Sequence, residues 1–280
     1  MDTMDTMDTK VPGDNNIACS AFVYFVPFVP FVKSKSLLCH RRDLLTAMAQ
    51  IKGLIFDLDG TIIDNDDGYM ELMLKRVGSE IGRDLGLRHA RELWYSIGAV
   101  SRDEVIARWG IDPDRFWSVF NKYESLDEKL ASTYLHRDAL ALKYIGVPMG
   151  IVTHTSLEHT SKLLEHVGMR PYFDPIIACT EDTGYKPSPL PMIYCVMTMR
   201  LGFDEVLYVG DTVSDMMAAR EAHIKCVYVN RFDRRMDFRP DYEIDSLEKL
   251  SAIIKESQDA RTQLRAERRQ GAKKRRQEAT

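Results

Sequence analysis

The segment Ile55-Phe56-Asp57-Leu58-Asp59-Gly60-Thr61 closes a short apolar run and decides how the rest of the chain is interpreted. The apolar run from Ile51 to Phe56 has the length of a buried strand, and it stops at a polar turn that contains Gly60. Two carboxylates, Asp57 and Asp59, therefore follow directly after a predicted strand. Because open parallel sheets bind ligands at the carboxyl ends of their strands, this turn is the first candidate for a functional site.

The second half of the chain alternates between strand and helix patterns. Predicted strands at 147–153, 175–179, 206–209, 226–229 and 242–244 alternate with predicted helices at 157–167, 190–201, 215–223 and 247–254. Between about 68 and 146 the apolar residues recur at helical spacing, which predicts four or five helices and no strand. The alternation predicts an α/β fold, a doubly wound parallel sheet with a helical insertion after its first strand.

Both ends of the chain differ from this regular region. The first nine residues repeat Met-Asp-Thr, and the apolar run at 17–32 is shorter than the roughly 20 residues that cross a bilayer as a helix. We expect a disordered leader at 1–50, with a weak membrane anchor as the alternative. Residues 259–280 hold eight Lys and Arg against three acidic residues. We expect a solvated extension there, with contact to nucleic acid or an acidic partner as the alternative.

Bulk composition narrows the class of protein. The 280 residues carry a net charge of −4, which by itself indicates neither a nucleic-acid nor a membrane partner. The five cysteines are odd in number and form no Cys-x-x-Cys pair, which argues against a disulfide framework and against a zinc site. We therefore expect a reducing, cytoplasmic compartment.

Polar residues follow four of the predicted strands and are expected to meet at one edge of the sheet. They are Asp57 and Asp59 after the first strand, Thr153 at the end of the second, Lys186 after the third, and Asp211 and Asp215 after the fourth. A phosphoryl group repels an anionic nucleophile such as Asp57, and a metal ion bound to both removes that obstacle. Magnesium suits such an all-oxygen site, with Asp57 and Asp211 as direct ligands and Asp215 holding a metal-bound water. Lys186 and Thr153 supply a positive charge and a hydroxyl donor to the phosphate.

Asp59 is the predicted general acid and base. A protonated Asp59 would give its proton to the leaving alcohol and would then take a proton from the water that hydrolyses the aspartyl phosphate on Asp57. Neighbouring carboxylates push each other's pKa values apart, which favours a different role for each of the two aspartates.

Four segments resemble the motifs of the haloacid-dehalogenase-like (HAD) superfamily. They are 56–64, 151–156, 184–189 and 210–215, and the resemblance covers about 51–256 with order and spacing intact. Phosphoglycolate-phosphatase-like members look most similar. The resemblance implies a Rossmann-like core, Asp57 as nucleophile, Asp59 as acid and base, and a magnesium ion that is also bound by the backbone carbonyl of Asp59. One departure is Ala222-His223, where relatives usually have Ala-Gly after a helix.

The resemblance also divides the chain. It implies a core at 51–65 and 136–256, a helical cap at 66–135, and a basic tail at 257–280 after the leader at 1–50. The expected function is magnesium-dependent hydrolysis of a small phosphorylated metabolite. The alternatives are a phosphosugar mutase on the same fold, and a non-catalytic binding or regulatory protein that uses the basic tail. Trp94, Trp109 and Trp117 are expected in the core of the cap rather than against a substrate.

Overall fold

The structure is a computed structural model that describes residues 50–234, 236, 238–260, 262–263 and 277. The predicted leader up to residue 49 and most of the predicted basic tail lie outside these residues. Within the described ranges, no helix is both long enough and apolar enough to cross a membrane. Cys179, Cys195 and Cys226 are buried free thiols.

A six-stranded parallel sheet forms the core. The strands of the described chain are β1 (Gly53–Phe56), β2 (Ile63–Asn65), β3 (Thr133–Leu135), β4 (Met149–Thr153), β5 (Ile176–Ala178), β6 (Val206–Gly210), β7 (Lys225–Val229) and β8 (Tyr242–Ile244). The sheet order is β5-β4-β1-β6-β7-β8, and every neighbouring pair is parallel. The predicted α/β fold is confirmed. β1 lies between β4 and β6, so the turn after Phe56 stands at the centre of the carboxyl edge.

Helices cover both faces of this sheet and form the insertion. They are α1 (Asp67–Ile81), α2 (Leu87–Trp94), α3 (Arg102–Arg108), α4 (Pro113–Tyr123), α5 (Leu126–Ser132), α6 (Leu157–His166), α7 (Leu190–Met199), α8 (Val213–Glu221) and α9 (residues 250–260). Short 3-10 segments lie at Arg137–Tyr144, Arg170–Tyr172, Phe203–Glu205 and Leu247–Lys249. Because α9 reaches residue 260, it includes the start of the predicted tail.

Successive residues of β1 belong to different faces of the sheet. Leu54 and Phe56 join one apolar cluster, which includes residues of α6 and α9, whereas Ile55 joins the cluster that includes residues of α7 and α8. This two-residue period places both faces of β1 in the protein interior. A strand covered on both sides has a continuous apolar sequence, as the run before Asp57 does.

The inserted helices α1 to α5 are called the cap, and α1 to α4 share an apolar cluster of their own, whereas Leu130 of α5 packs against the core cluster. Met73 of α1, Leu93 of α2, Val105 of α3 and Phe116 of α4 belong to one buried cluster. The side chains of Asp66, Ser101, Asp112 and Ser125 accept a hydrogen bond from the backbone N–H three residues ahead and begin four of these helices. Each such N-cap stabilises a helix by about 1 kcal/mol. The predicted helical insertion is therefore present.

Two short strands connect the cap to the core. The sequence pattern predicted no strand between 68 and 146, but β3 lies there and pairs with β2 in antiparallel register. Each strand is only three residues long, and Asp64 and Asn65 of β2 are polar. Neither strand therefore carries the alternating or apolar pattern from which strands are predicted.

The side chain of Asn65 joins these two strands. Its amide nitrogen donates to Ser132 Oγ at 2.8 Å and to Thr133 Oγ1 at 2.9 Å. The same nitrogen lies 3.3 Å from the carbonyl oxygen of Lys129 in α5. Asn65 is buried, and a buried amide without hydrogen-bond partners would destabilise the fold. These contacts supply the partners.

Candidate active site

A cavity of about 640 Å³ lies between the carboxyl edge of the sheet and the cap. The predicted site residues that line it are Asp57, Asp59, Thr153, Lys186 and Asp215. Asp211 stands beside them, because its carboxylate, Asp57 and Asp215 each place an oxygen within 4.8 Å of the other two. All six predicted residues thus meet at the ends of β1, β4 and β6, in the loop before α7 and in the first turn of α8.

Lys186 is bound to two carboxylates. Its Nζ donates to Asp57 Oδ1 at 2.5 Å and to Asp215 Oδ1 at 2.7 Å. Only 3% of the Lys186 side chain is exposed. The buried ammonium keeps its charge because the two carboxylates beside it neutralise it. The sequence predicts that Lys186 binds the phosphate of the substrate. In the structure its ammonium also holds the carboxylate of Asp57 in position.

The three carboxylates of the cluster differ in their pKa values. Burial, together with repulsion from Asp215 and Asp211, raises the pKa of Asp57 well above its usual range, although Lys186 opposes the change. Burial and the charge of Asp215 also raise the pKa of Asp211. The pKa of Asp215 is lowered despite burial, because Lys186, Thr212 and Tyr208 all stabilise its charge.

The charges and the donor atoms of the cluster can be compared with what a metal ion requires. Burial and the neighbouring carboxylates raise the pKa of both Asp57 and Asp211, although each carboxylate has a cationic partner. A divalent cation between them would offset both burial and repulsion. The donor set is all oxygen and buried, which suits magnesium. The residues therefore fit the ion.

Asp215 is held by donors from its own helix and from β6. Tyr208 Oη donates to Asp215 Oδ1 at 2.8 Å. Thr212 donates to Asp215 Oδ2 from Oγ1 at 2.5 Å and from its backbone N–H at 3.0 Å. Both oxygens of Asp215 therefore accept bonds from the protein, and its predicted contact with a metal-bound water stays a prediction.

Gly60 allows the motif turn to approach Asp211. Its φ is +85°, in the left-handed region, and a Cβ at this position would lie 2.6 Å from Asp211 Oδ2. Only glycine meets both demands without strain. The next residue, Thr61, donates from Oγ1 to Asp211 Oδ1 at 3.3 Å. The turn after β1 thus positions a carboxylate that follows β6.

Asp59 points toward a second threonine of the site. Thr155 Oγ1 donates to Asp59 Oδ2 at 2.7 Å, and the Thr155 N–H donates to Thr153 Oγ1 at 3.1 Å. Burial opposes ionisation of Asp59, but the charges of Lys129 and Arg102 and the Thr155 hydrogen bond lower its pKa below the usual value. Asp59 is therefore a carboxylate at neutral pH, whereas the predicted acid carries a proton.

The cap supplies the other side of the cavity. Trp94, Arg102, Trp117 and Lys129 line it from α2, α3, α4 and α5. The two tryptophans also pack against the apolar core of the cap, as the sequence predicted. They have a second role in the cavity wall that helical spacing does not reveal.

The chain was compared with known proteins. The sequence model of the haloacid dehalogenase-like hydrolases matches residues 54–229, more than half of the chain. The chain belongs to this family. Over 190 residues the hydrolase is 28% identical to phosphoglycolate phosphatase of Yersinia pseudotuberculosis serotype I, which covers 63% of this chain and 80% of the relative. It is 26% identical to pyrophosphatase PpaX of Halalkalibacterium halodurans over 215 residues, 73% of this chain and 97% of the relative.

Solved structures share the fold of the hydrolase. An HAD phosphatase from Thermococcus onnurineus is 24% identical, with a TM-score of 0.56 over 73% of this chain and 98% of that chain. The protein YfnB of Bacillus subtilis, solved with magnesium bound and described as showing interdomain movement, is 23% identical. Its TM-score is 0.54, over 74% of this chain and 99% of that chain.

Several residues that shape the site of the hydrolase were not predicted. Tyr208 has a usable signal, since a tyrosine in a buried strand needs a partner for its hydroxyl group. Thr155 lies in the motif segment 151–156, but its position in the sequence predicts no role for it. Lys129 and Arg102 have no distinguishing signal, because cations are common on the solvated faces of helices.

Proposed function

We propose that this hydrolase is a magnesium-dependent phosphatase that acts on a small phosphate monoester. The proposal rests on the cluster at the end of β1, where Asp57 contacts Lys186 and places an oxygen within 4.8 Å of carboxylate oxygens of Asp211 and Asp215. The relatives named phosphoglycolate phosphatase and pyrophosphatase support phosphoryl chemistry. The magnesium bound to YfnB supports the choice of metal.

Asp57 is the proposed nucleophile. One of its carboxylate oxygens forms a bond to phosphorus while the ester bond between phosphorus and the leaving oxygen breaks, which gives an aspartyl phosphate. Lys186 and the hydroxyl of Thr153 bind the phosphoryl oxygens. Asp57 and Asp211, with the backbone carbonyl of Asp59, would hold magnesium, and Asp215 would hold it through water. When bound, the ion supplies the positive charge that offsets repulsion between Asp57 and the phosphoryl group.

Asp59 is the proposed acid and base, and its protonation depends on the substrate. In the free protein, Lys129 and Arg102 keep its pKa low. A phosphate group that enters the cavity adds negative charge near Asp59 and raises that pKa, so that Asp59 can take up a proton. The proton then passes to the leaving oxygen. The carboxylate afterwards accepts a proton from the water that attacks the aspartyl phosphate.

The cations on the cap side support a substrate with a second anionic group. Lys129 is buried and 3.4 Å from Glu124, Arg102 is half-buried, and both line the cavity near Asp59. Phosphoglycolate and pyrophosphate, the substrates in the names of the relatives, each carry such a group beside the phosphoryl group. We propose that residues 66–135 act as one cap that closes over this substrate.

The test measures free phosphate released by the full chain from p-nitrophenyl phosphate, 2-phosphoglycolate and pyrophosphate. We expect release with MgCl₂, none with EDTA, and recovery when magnesium is returned. If none of these compounds nor a panel of phosphorylated metabolites releases phosphate with magnesium, the proposal is wrong. Phosphoryl transfer to a sugar without free phosphate would indicate the mutase alternative. A reducing, cytoplasmic compartment and the partner of the basic tail stay predictions.

A further inference from the structure

Arg234 contacts both the carboxylate cluster and the cap. It lies in the loop after β7, and its Nη2 donates to Asp211 Oδ2 at 3.3 Å. Its Nη1 donates at 3.2 Å to the backbone carbonyl of Tyr95, the residue that ends α2. The side chain of Arg234 is 18% exposed and that of Asp211 only 1%. One guanidinium therefore bridges a buried carboxylate of the core and the backbone of the cap.

Tyr95 is held by further contacts, which together form the Tyr95 clasp (Asp64, Phe232 and Arg234 around Tyr95). The Arg234 guanidinium lies 4.9 Å from the centroid of the Tyr95 ring, and the Phe232 ring lies 5.6 Å from it. Tyr95 Oη donates to Asp64 Oδ2 at 2.7 Å, in the strand that leads into the cap. The clasp thus fixes one point of the cap to the core.

The backbone of Arg234 is fixed by Asn230. The Arg234 N–H donates to Asn230 Oδ1 at 2.7 Å, and Asn230 Nδ2 donates to the Arg234 carbonyl at 3.1 Å. The guanidinium is therefore held at Asp211 by the fold of its own loop. An ordered planar group of this kind loses little conformational entropy when it bridges two acceptors.

The charges in the cluster show what Arg234 does there. Among the described residues, Lys186 pairs with Asp57 and Asp215, and Arg234 pairs with Asp211. A divalent cation that binds Asp211 therefore meets a positive group already bonded to one of its oxygens. The guanidinium both repels the ion and competes with it for the carboxylate.

We propose that Arg234 is a positioning residue that lowers the affinity of Asp211 for magnesium and couples metal binding to the position of the cap through Tyr95. This inference rests on the proposed function, in which Asp211 is a metal ligand. Coupling between two events is reciprocal. If metal binding weakens the bond between Arg234 and Asp211, it also loosens the Tyr95 clasp, and an opened clasp favours metal binding.

The first experiment titrates the full chain with Mg²⁺ alone, by calorimetry, without substrate. Arg234→Gln is expected to bind Mg²⁺ about threefold to tenfold more tightly than the wild type, because the competing charge is gone. Arg220→Gln is the matched control. Arg220 also stacks on an aromatic ring, that of Phe238, and donates to a backbone carbonyl, that of Arg239, but it pairs with no ligand candidate. Its affinity is expected to equal that of the wild type.

A second variant separates charge from bridging. Arg234→Lys keeps the positive charge, but an ammonium cannot reach two acceptors in the planar geometry of a guanidinium. We expect its Mg²⁺ affinity to stay within about twofold of the wild type. Hydrogen exchange at residues 95–101 is expected to increase on addition of Mg²⁺ in the wild type and to be insensitive to Mg²⁺ in both Arg234 variants.

The outcomes are separable from those of the phosphatase assay, because calorimetry needs no turnover. Equal or weaker Mg²⁺ binding by folded Arg234→Gln overturns the inference even if phosphate release is normal. If Arg234→Gln does not fold, hydrogen exchange in Arg234→Lys decides. Exchange at residues 95–101 that still increases with Mg²⁺ in Arg234→Lys, as expected for the wild type, overturns the coupling. Tighter binding by Arg234→Gln together with no phosphate release from any ester supports the inference and overturns the phosphatase proposal alone.

Discussion

The two sides of the cavity are built differently. On the core side, Asp57, Lys186 and Asp215 are almost completely buried, and each is bonded to at least one of the others. On the cap side Lys129 is also buried, but Trp94, Arg102 and Trp117 are only half-buried. A rigid group of charges suits a single reaction, whereas less constrained side chains can change without loss of the fold. From this difference we infer that the core side determines the reaction type and the cap side the choice of substrate.

The strongest test of the core side is Asp57→Asn. We expect at least an about thousandfold loss of p-nitrophenyl phosphate hydrolysis, because the amide cannot act as the nucleophile. Asp127→Asn, on the exposed surface of the cap, is the control and is expected to keep full activity. Circular dichroism verifies that both variants fold. Unchanged hydrolysis by Asp57→Asn would remove the core side from the mechanism.

Asp59→Asn separates the two chemical steps on the core side. p-Nitrophenolate leaves without a proton, so we expect a burst of about one nitrophenolate per active site in stopped-flow measurements. Steady turnover is expected to fall by about 10²-fold to 10⁴-fold, because no base activates the water. Full steady turnover in this variant would contradict the role of Asp59.

Lys129→Met tests the cap side. We expect KM for 2-phosphoglycolate to rise by about tenfold, while KM for p-nitrophenyl phosphate, which lacks the second anion, changes less. Lys122→Met is the matched control, since Lys122 belongs to the cap but is exposed and pairs with Glu80. Equal effects of Lys129→Met on both substrates would show that the cap does not select by charge.

The smallest expected effect is on the stability of the core, at His223. This residue follows α8 with φ +58°, in the left-handed region that favours glycine. His223→Gly is expected to raise the free energy of unfolding by about 0.5–1 kcal/mol in urea titrations, with unchanged activity. Glu165→Gly, in the last turn of α6, should instead lower it by up to about 1 kcal/mol. A destabilised His223→Gly would mean that the imidazole makes a compensating contact.

The core side could be predicted from the sequence because its signals are local. An apolar run followed by polar residues locates each strand end, and parallel strands bring those ends together at one edge. Asp57, Thr153, Lys186 and Asp215 therefore meet where the pattern predicted. Gly60 belongs to the same local signal. The motif places a glycine at the position where the turn after β1 has a positive φ.

The cap side could not be predicted in the same way. Lys129 and Arg102 approach Asp59 only because two helices distant in sequence pack above the sheet. Arg234 reaches Asp211 from a loop with no motif, and β2 and β3 are too short for any periodicity. Long-range packing determines all of these contacts, so no local pattern reports them.

Asn65 has a mechanical consequence. The polypeptide crosses between core and cap twice, and this one amide bonds Ser132 and Thr133 on the returning crossing while its own backbone belongs to the outgoing one. Two independent crossings would let the cap shear and twist. The Asn65 bonds add to the antiparallel pairing of β2 with β3, so the two crossings form one ribbon. If the cap opens as proposed, the ribbon must bend, and we expect Asn65, which does not line the cavity, to help return Lys129 to Asp59.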